Sequence, residues 1–295
     1  MRRALLALLA AGAVAGTAVA VAEERHGDAS APPAVGPRRP TAHALPPVDT
    51  PIPRTPAALA AALTDTTRRL RGAIDRWDAA LAVPRDVTYL ALYHQRMLRL
   101  MSARRALGDA TTARLAPDVR DDARATVLGR RHLAAIPRAP GRLPRVRIAP
   151  AAPAARLRAF YAEGERRFGV SWSILAAVNF VESAFGRVRS ASEAGARGPM
   201  QFLPSTWRAY GMGGDIDDPQ DAILAAANLL RRAGASRDPD RALFAYNHSA
   251  HYVRAIRLFA ARMAADERTF LTYYAWQVYV RTPAGVRRLT GPRRT

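Results

Sequence analysis

The sequence predicts a mainly α protein with an N-terminal helical segment and a short β element near its C-terminus. Three observations point there. Apolar residues recur at helical spacing through much of residues 57–136 and 154–272. Asp218-Pro219 and Asp238-Pro239 each read as a helix start, a capping carboxylate followed by proline at the first helical position. Trp276, Val278 and Val280 alternate as the residues of a short strand do.

In chain order, the first element is a targeting segment. Met1-Arg2-Arg3 precedes an apolar run from Ala4 to Ala22 that closes on the small residues Ala20-Val21-Ala22. Residues 1–22 therefore read as a secretory signal, with cleavage expected after Ala22 ahead of Ala20. The run is long enough to serve instead as an uncleaved anchor, since a span needs about 20 apolar residues; Gly12, Gly16 and the alanine richness weigh against that. The implied location is outside the cytoplasm, in the periplasm, wall or medium, with membrane contact only if the segment is retained. Residues 23–56, rich in Pro, Ala and charge and without periodicity, read as a disordered tether.

In residues 57–136, Leu59, Leu63, Leu70 and Ile74 mark a first helix. Pro84 breaks it, and Asp86 is placed to cap a second helix striped by Leu90, Tyr93, Met97, Leu100 and Met101. Asp118 to Ile136 forms a third, with Val119, Ala123, Val127 and Leu133 towards a core. Three such helices form a small bundle or lean on the rest of the chain. His94 and His132 have no partners at metal-ligand spacing and read as surface or packing residues. Residues 137–153 contain five prolines and read as a linker or a strap on the domain surface.

Residues 154–272 carry the most organised pattern. Ala154 to Phe168 is amphipathic, and Gly169 can end it at positive φ. Ser171 is placed to cap the next helix, which is apolar nearly all round (Ile174, Leu175, Ala177, Val178, Phe180, Val181) and so a buried one. Gly195 and Gly198 allow a tight loop, Pro204 opens a short helix with Trp207 towards the core, and Gly234 ends a helix over 222–233. Asp215, Asp217 and Asp218 lack the spacing of a calcium loop and read as capping. In 273–295, Tyr273, Tyr274 and Trp276 are expected to pack onto the domain, and Arg287, Arg288, Arg293 and Arg294 form a basic tail.

Composition narrows the chemistry. There is no cysteine, which removes disulfides, a lipoprotein anchor and thiol catalysis. All 45 basic residues are arginine, against 24 acidic ones, for a net charge of +21. That balance favours adsorption to polyanions. No zinc-ligand spacing, stacking signature or recognition helix accompanies it, so nucleic acid is not the expected partner.

Glu182 is the candidate catalytic residue. It closes the apolar run from Trp172, where an unpartnered carboxylate is costly. Desolvation and the negative end of the helix dipole both favour its protonated form. A carboxylic acid that holds its proton near neutral pH is what protonation of a glycosidic oxygen requires.

Three blocks then line up: Glu182-Ser183, Gly198-Pro199-Met200-Gln201-Phe202 and Ala245-Tyr246-Asn247. In that order and spacing they resemble the catalytic domain of soluble-type lytic transglycosylases, lysozyme-like and goose-type-lysozyme-related enzymes that cut peptidoglycan, over about residues 160–265. Pro199 stands where an apolar Leu or Val is more usual. His248-Ser249 replaces a small residue and glycine, a change expected to alter the floor around the cut.

The resemblance implies a lysozyme-like domain over 154–272 with Glu182 as the catalytic acid. Ser183 would hold substrate or orient that acid. Met200 and Gln201 would line the saccharide groove, though Met200 and Phe202 also suit a core. Tyr246 would hydrogen-bond near Glu182, and Asn247 would bind the N-acetyl sugar or fix local backbone. The implied reaction cleaves the MurNAc–GlcNAc β-1,4 bond with one Glu acting as acid and then base, leaving 1,6-anhydro-MurNAc ends, with no metal and no cofactor. The implied partners are peptidoglycan strands and, through the arginine-rich surface, anionic wall polymers. Two alternatives stand beside it. A hydrolytic muramidase would use Glu193 or Asp215 as a second carboxylate. A wall-binding scaffold would use the cleft without chemistry.

Overall fold

The computed structural model describes residues 44–137, 146–282 and 285–293. The expected signal segment and most of the expected tether lie outside them. Among the described residues, no helix is long and apolar enough to cross a membrane.

The end of the expected tether is ordered, not disordered. Side chains of the first helices hold it by its carbonyls: Arg69 donates to Ala44 O at 3.0 Å, Arg96 to Val48 O at 2.9 Å and Tyr93 to Pro51 O at 3.1 Å.

The N-terminal segment forms α1 (Pro56–Ile74), α2 (Arg85–Ala103), α3 (Arg105–Thr112) and α4 (Pro117–Ala135). Thr55 caps α1 by accepting from Ala58 N, with Pro56 at the first position. Asp86 does not cap α2. Pro84 occupies that position, and the Asp86 carboxylate accepts from the adjacent Val87 N and pairs with Arg76. The short α3 has no apolar stripe long enough to announce it. It fits because Gly108 sits where a Cβ would be 2.2 Å from Met101 O.

These helices lean on the rest of the chain. α4 packs against α10 (Ala250–Ala265), where Gly129 leaves room for the Phe259 ring; a Cβ there would meet that ring at 2.7 Å. One hydrophobic core runs from Leu59 to Trp276 through both segments. Residues 146–149 form a surface strap. Ala149 N donates to Arg187 O and Arg189 N to Arg147 O, both at 2.9 Å.

The remaining elements are α5 (Ala154–Phe168), α6 (Trp172–Ser183), α7 (Pro204–Tyr210), α8 (Pro219–Arg232), α9 (Pro239–Tyr246) and α11 (Glu267–Tyr274). Gly169 ends α5 at φ 66°. Asp218 caps α8 through Gln220 N and Asp221 N, and Asp238 caps α9 through Arg241 N. Ser171 precedes α6 as expected but makes no side-chain cap; its hydroxyl meets Ser173 Oγ at 2.9 Å.

The β element is a hairpin of β1 (Tyr279–Thr282) and β2 (Gly285–Arg288), with Tyr279 opposite Arg288. It begins later than the alternation from Trp276 suggests. Tyr273 and Tyr274 belong to α11, and Trp276 is buried in the core. The domain is thus mainly helical with one small antiparallel sheet. α6 lies inside it, contacted by α5, α8, α10 and α11.

Candidate active site

Glu182 is one residue from the end of α6 and only 5 % exposed. The chain reverses immediately after it. Ala184, Phe185 and Gly186 have φ of 53°, 63° and 80°, and two of these three are residues for which left-handed backbone is unfavourable. The turn closes with Ala184 N on Phe180 O and Phe185 N on Asn179 O. The Phe185 ring offsets the strain by stacking on Phe180, 5.4 Å between centroids.

A buried polar chain ties this turn to the glycine loop. Tyr161 donates to Asn179 Oδ1 at 2.6 Å, and Asn179 Nδ2 donates to Pro199 O at 2.9 Å. The Ser183 hydroxyl donates to the same carbonyl at 2.5 Å and accepts from Gly186 N at 2.8 Å. Burial pushes the Tyr161 phenol well above its ordinary range, so it stays protonated and able to donate to Asn179. Ser183 has no exposed surface, and its hydroxyl is committed to this latch.

The loop itself is a tight hairpin. Arg197 and Phe202 exchange backbone hydrogen bonds of 2.8 and 2.9 Å, with Gly198 at φ 75° and Gln201 at φ 50°. Gly198 cannot carry a side chain, because a Cβ would lie 1.9 Å from Ile216 O. Met200 is fully buried, so its side chain belongs to the core and presents no surface to a groove. Gln201 is 5 % exposed; its Nε2 donates to Gly198 O at 3.1 Å, while its Oε1 is buried without a hydrogen-bond donor.

Two buried tyrosines, Tyr246 and Tyr252, serve the loop and the carboxyl. Tyr246 donates its proton to Met200 O at 2.6 Å, which holds the loop. The Tyr252 hydroxyl donates to Glu182 Oε1 at 2.8 Å. The two rings lie parallel, 6.4 Å apart.

Tyr252 is fully buried in the first turn of α10, and Ser249 caps that helix by accepting from Tyr252 N at 3.3 Å. Ser249, the second residue of the His248-Ser249 departure from the usual pattern, therefore caps the helix that delivers Tyr252. His248 is exposed and meets the Phe244 ring. Asn247 is 5 % exposed, and its backbone carbonyl accepts from Ser249 N at 2.6 Å.

The other carboxylates are in different surroundings. Glu193 is exposed on the 192–196 turn. Asp215 is exposed and accepts from Asp217 N at 2.9 Å, and Asp217 pairs with Arg197. Among the described residues, no group of three His, Asp or Glu is arranged to hold a metal ion.

Sequence reasoning missed two residues here. Asn179 had a signal: it is the lone amide in an apolar helix, four residues before Ser183 and so on the same face. Tyr252 had none, since its contact with Glu182 depends on how α10 crosses α6.

Residues 160–265 match the family model described as Transglycosylase SLT domain. No curated protein and no solved structure matches the chain. The matched span runs from within α5 to the end of α10 and contains Glu182, the glycine loop, Tyr246 and Tyr252.

Proposed function

We propose that the transglycosylase SLT domain at residues 160–265, a peptidoglycan-acting domain, is a lytic transglycosylase with Glu182 as its single acid and base. The observation that carries this reading is the setting of Glu182: 5 % exposed, at the carbonyl end of α6, with the Tyr252 hydroxyl on Oε1. Burial and the helix terminus disfavour the charged carboxylate, and the hydrogen bond fixes which oxygen faces the phenol.

The Glu182 acid gives its proton to the glycosidic oxygen as the MurNAc C1–O bond breaks. Positive charge builds on the sugar ring and is met by the carboxylate just formed. That carboxylate then takes the proton of the C6 hydroxyl while O6 bonds to C1. The 1,6-anhydro ring closes, no water is consumed, and Glu182 is again protonated. Tyr252 keeps the carboxyl oriented through both proton transfers. Gln201 Oε1, a buried acceptor without a donor, suits an N–H or O–H of the glycan.

The setting of the other carboxylates also favours one acid over two. Glu193 is exposed, and Asp215 is engaged by the turn that leads into α8. The enzyme acts outside the cytoplasm, where its arginine-rich surface adsorbs to anionic wall polymers.

Digestion of purified peptidoglycan with mass analysis of the muropeptides tests this reading. Products with 1,6-anhydro-MurNAc ends are expected. Reducing ends, heavier by one water, would make it a muramidase; a protein that binds the glycan and releases nothing would make it a scaffold.

A further inference from the structure

We infer that the arginine cluster where α2, α4 and the β1–β2 hairpin meet is a binding site for one small oxyanion of the phosphate or sulfate class. Arg96 and Arg99 come from α2, Arg130 from α4 and Arg288 from β2, and the charges of all four act on the phenol of Tyr279 on β1. The Arg99 guanidinium carbon lies 4.0 Å from the centre of the Tyr279 ring. Gln95 pins the base of the hairpin beside them, donating to Gln277 O at 2.8 Å and accepting from Gln277 N at 2.9 Å.

Arg130 is 2 % exposed, and its Nε and Nη1 have no hydrogen-bond acceptor. Nη1 of Arg288 is buried in the same condition. Arg96 spends Nη1 on a neutral carbonyl, Val48 O, and feels the charge of Asp49. Among the described residues, neither Arg130 nor Arg288 forms an ion pair.

Arginine does not lose its proton in proteins, so this cluster leaves buried positive charge and donors to be matched. Elsewhere the chain matches such charge with carboxylates: Arg71 and Arg262 share Asp122, and Arg131 pairs with Asp109. Burial, with the Arg99 charge adding to it, pushes the Arg130 pKa well down; burial also lowers Arg99 to about 10. Guanidinium groups gathered about one side chain, with donors left over, suit the several oxygens of a small oxyanion. A single ion fits better than a polymer, because Arg130 has almost no surface to offer a chain.

Thermal unfolding of the full-length protein in inorganic phosphate, in sulfate and in chloride at matched ionic strength tests the site. The melting temperature should climb with the logarithm of phosphate or sulfate concentration and not with chloride. Arg130→Met should abolish the difference between anions, whereas the exposed Arg208→Gln should keep it. An equal response to chloride and phosphate, or a phosphate response that survives Arg130→Met, overturns the proposal. If Arg130→Met does not fold, calorimetric titration of the wild-type protein with phosphate decides. Saturable binding, weakened at least tenfold by Arg288→Gln, supports the site; no saturable binding, or binding that Arg288→Gln leaves unchanged, overturns it.

Discussion

The Tyr252 hydroxyl lies 2.8 Å from Glu182 Oε1 and joins residues 70 apart in sequence. Both side chains are buried, so the contact fixes the carboxyl in one orientation. Tyr252→Phe keeps the ring packing and removes only the donor. We expect kcat to fall about 10- to 100-fold, or roughly 1.4–2.7 kcal/mol, with KM little changed. A donated hydrogen bond favours the carboxylate, so its loss should also move the pH–rate profile to higher pH. Steady-state kinetics across pH check both.

Glu182→Gln keeps the size of the side chain and removes the transferable proton. Muropeptide release should drop by about 10³-fold or more, the loss of an essential acid and base. The circular dichroism spectrum and melting temperature should stay near wild type, since a buried neutral acid becomes a neutral amide of the same size.

Ser183→Ala opens the latch between α6 and the glycine loop. Pro199 O keeps Asn179, but Gly186 N is left buried without its acceptor. The cost should be about 1–3 kcal/mol, read as a shift in the urea midpoint.

Gly198→Ala adds a methyl where φ is 75° and Ile216 O would be 1.9 Å away. Backbone cannot retreat as a flexible side chain does, so the loop must move and carry Gln201 with it. Activity should fall at least about tenfold even where the protein still folds. Glycan binding and melting temperature, measured together, separate the two effects.

His94 predicts a pH dependence of stability. Burial, aided by the Arg71 charge, lowers its pKa to about 3. Above pH 6.5 the folded and unfolded imidazoles are both neutral, and the stabilisation is fully present. As pH falls from 6.5 towards 3, the unfolded chain takes up a proton that the folded one refuses. Between pH 7 and 4 this removes on the order of 3 kcal/mol. His94→Phe should remove that component of the slope in urea unfolding across the range.

What could be read from the sequence depended on distance along the chain. Gly169, Asp218 and Asp238 act within one helical turn, and each does what its residue type predicts. The burial of α6 followed from its composition alone. Ser171 and Asp86 show the limit, since each sits at a helix start while its side chain finds another partner close by. The contact of Tyr252 with Glu182 lay out of reach, because two residues 70 apart in sequence meet there only through the path of α10. The same holds for His132, whose Nδ1 lies 3.1 Å from that of His251 although neither spacing nor motif joins them.

The aromatic floor beneath Glu182 sets how small a working fragment can be. Phe180 stacks on Tyr273 at 4.8 Å and also meets Trp276, while Tyr273 shares a 2.6 Å hydrogen bond with Thr126 of α4. All three partners lie beyond residues 160–265. A polypeptide trimmed to those limits would keep every residue of the candidate site and strip the cover from the helix that holds its acid. A polypeptide that keeps this cover has to reach from α4 at least to Trp276, with α4 serving as one wall of the core around α6.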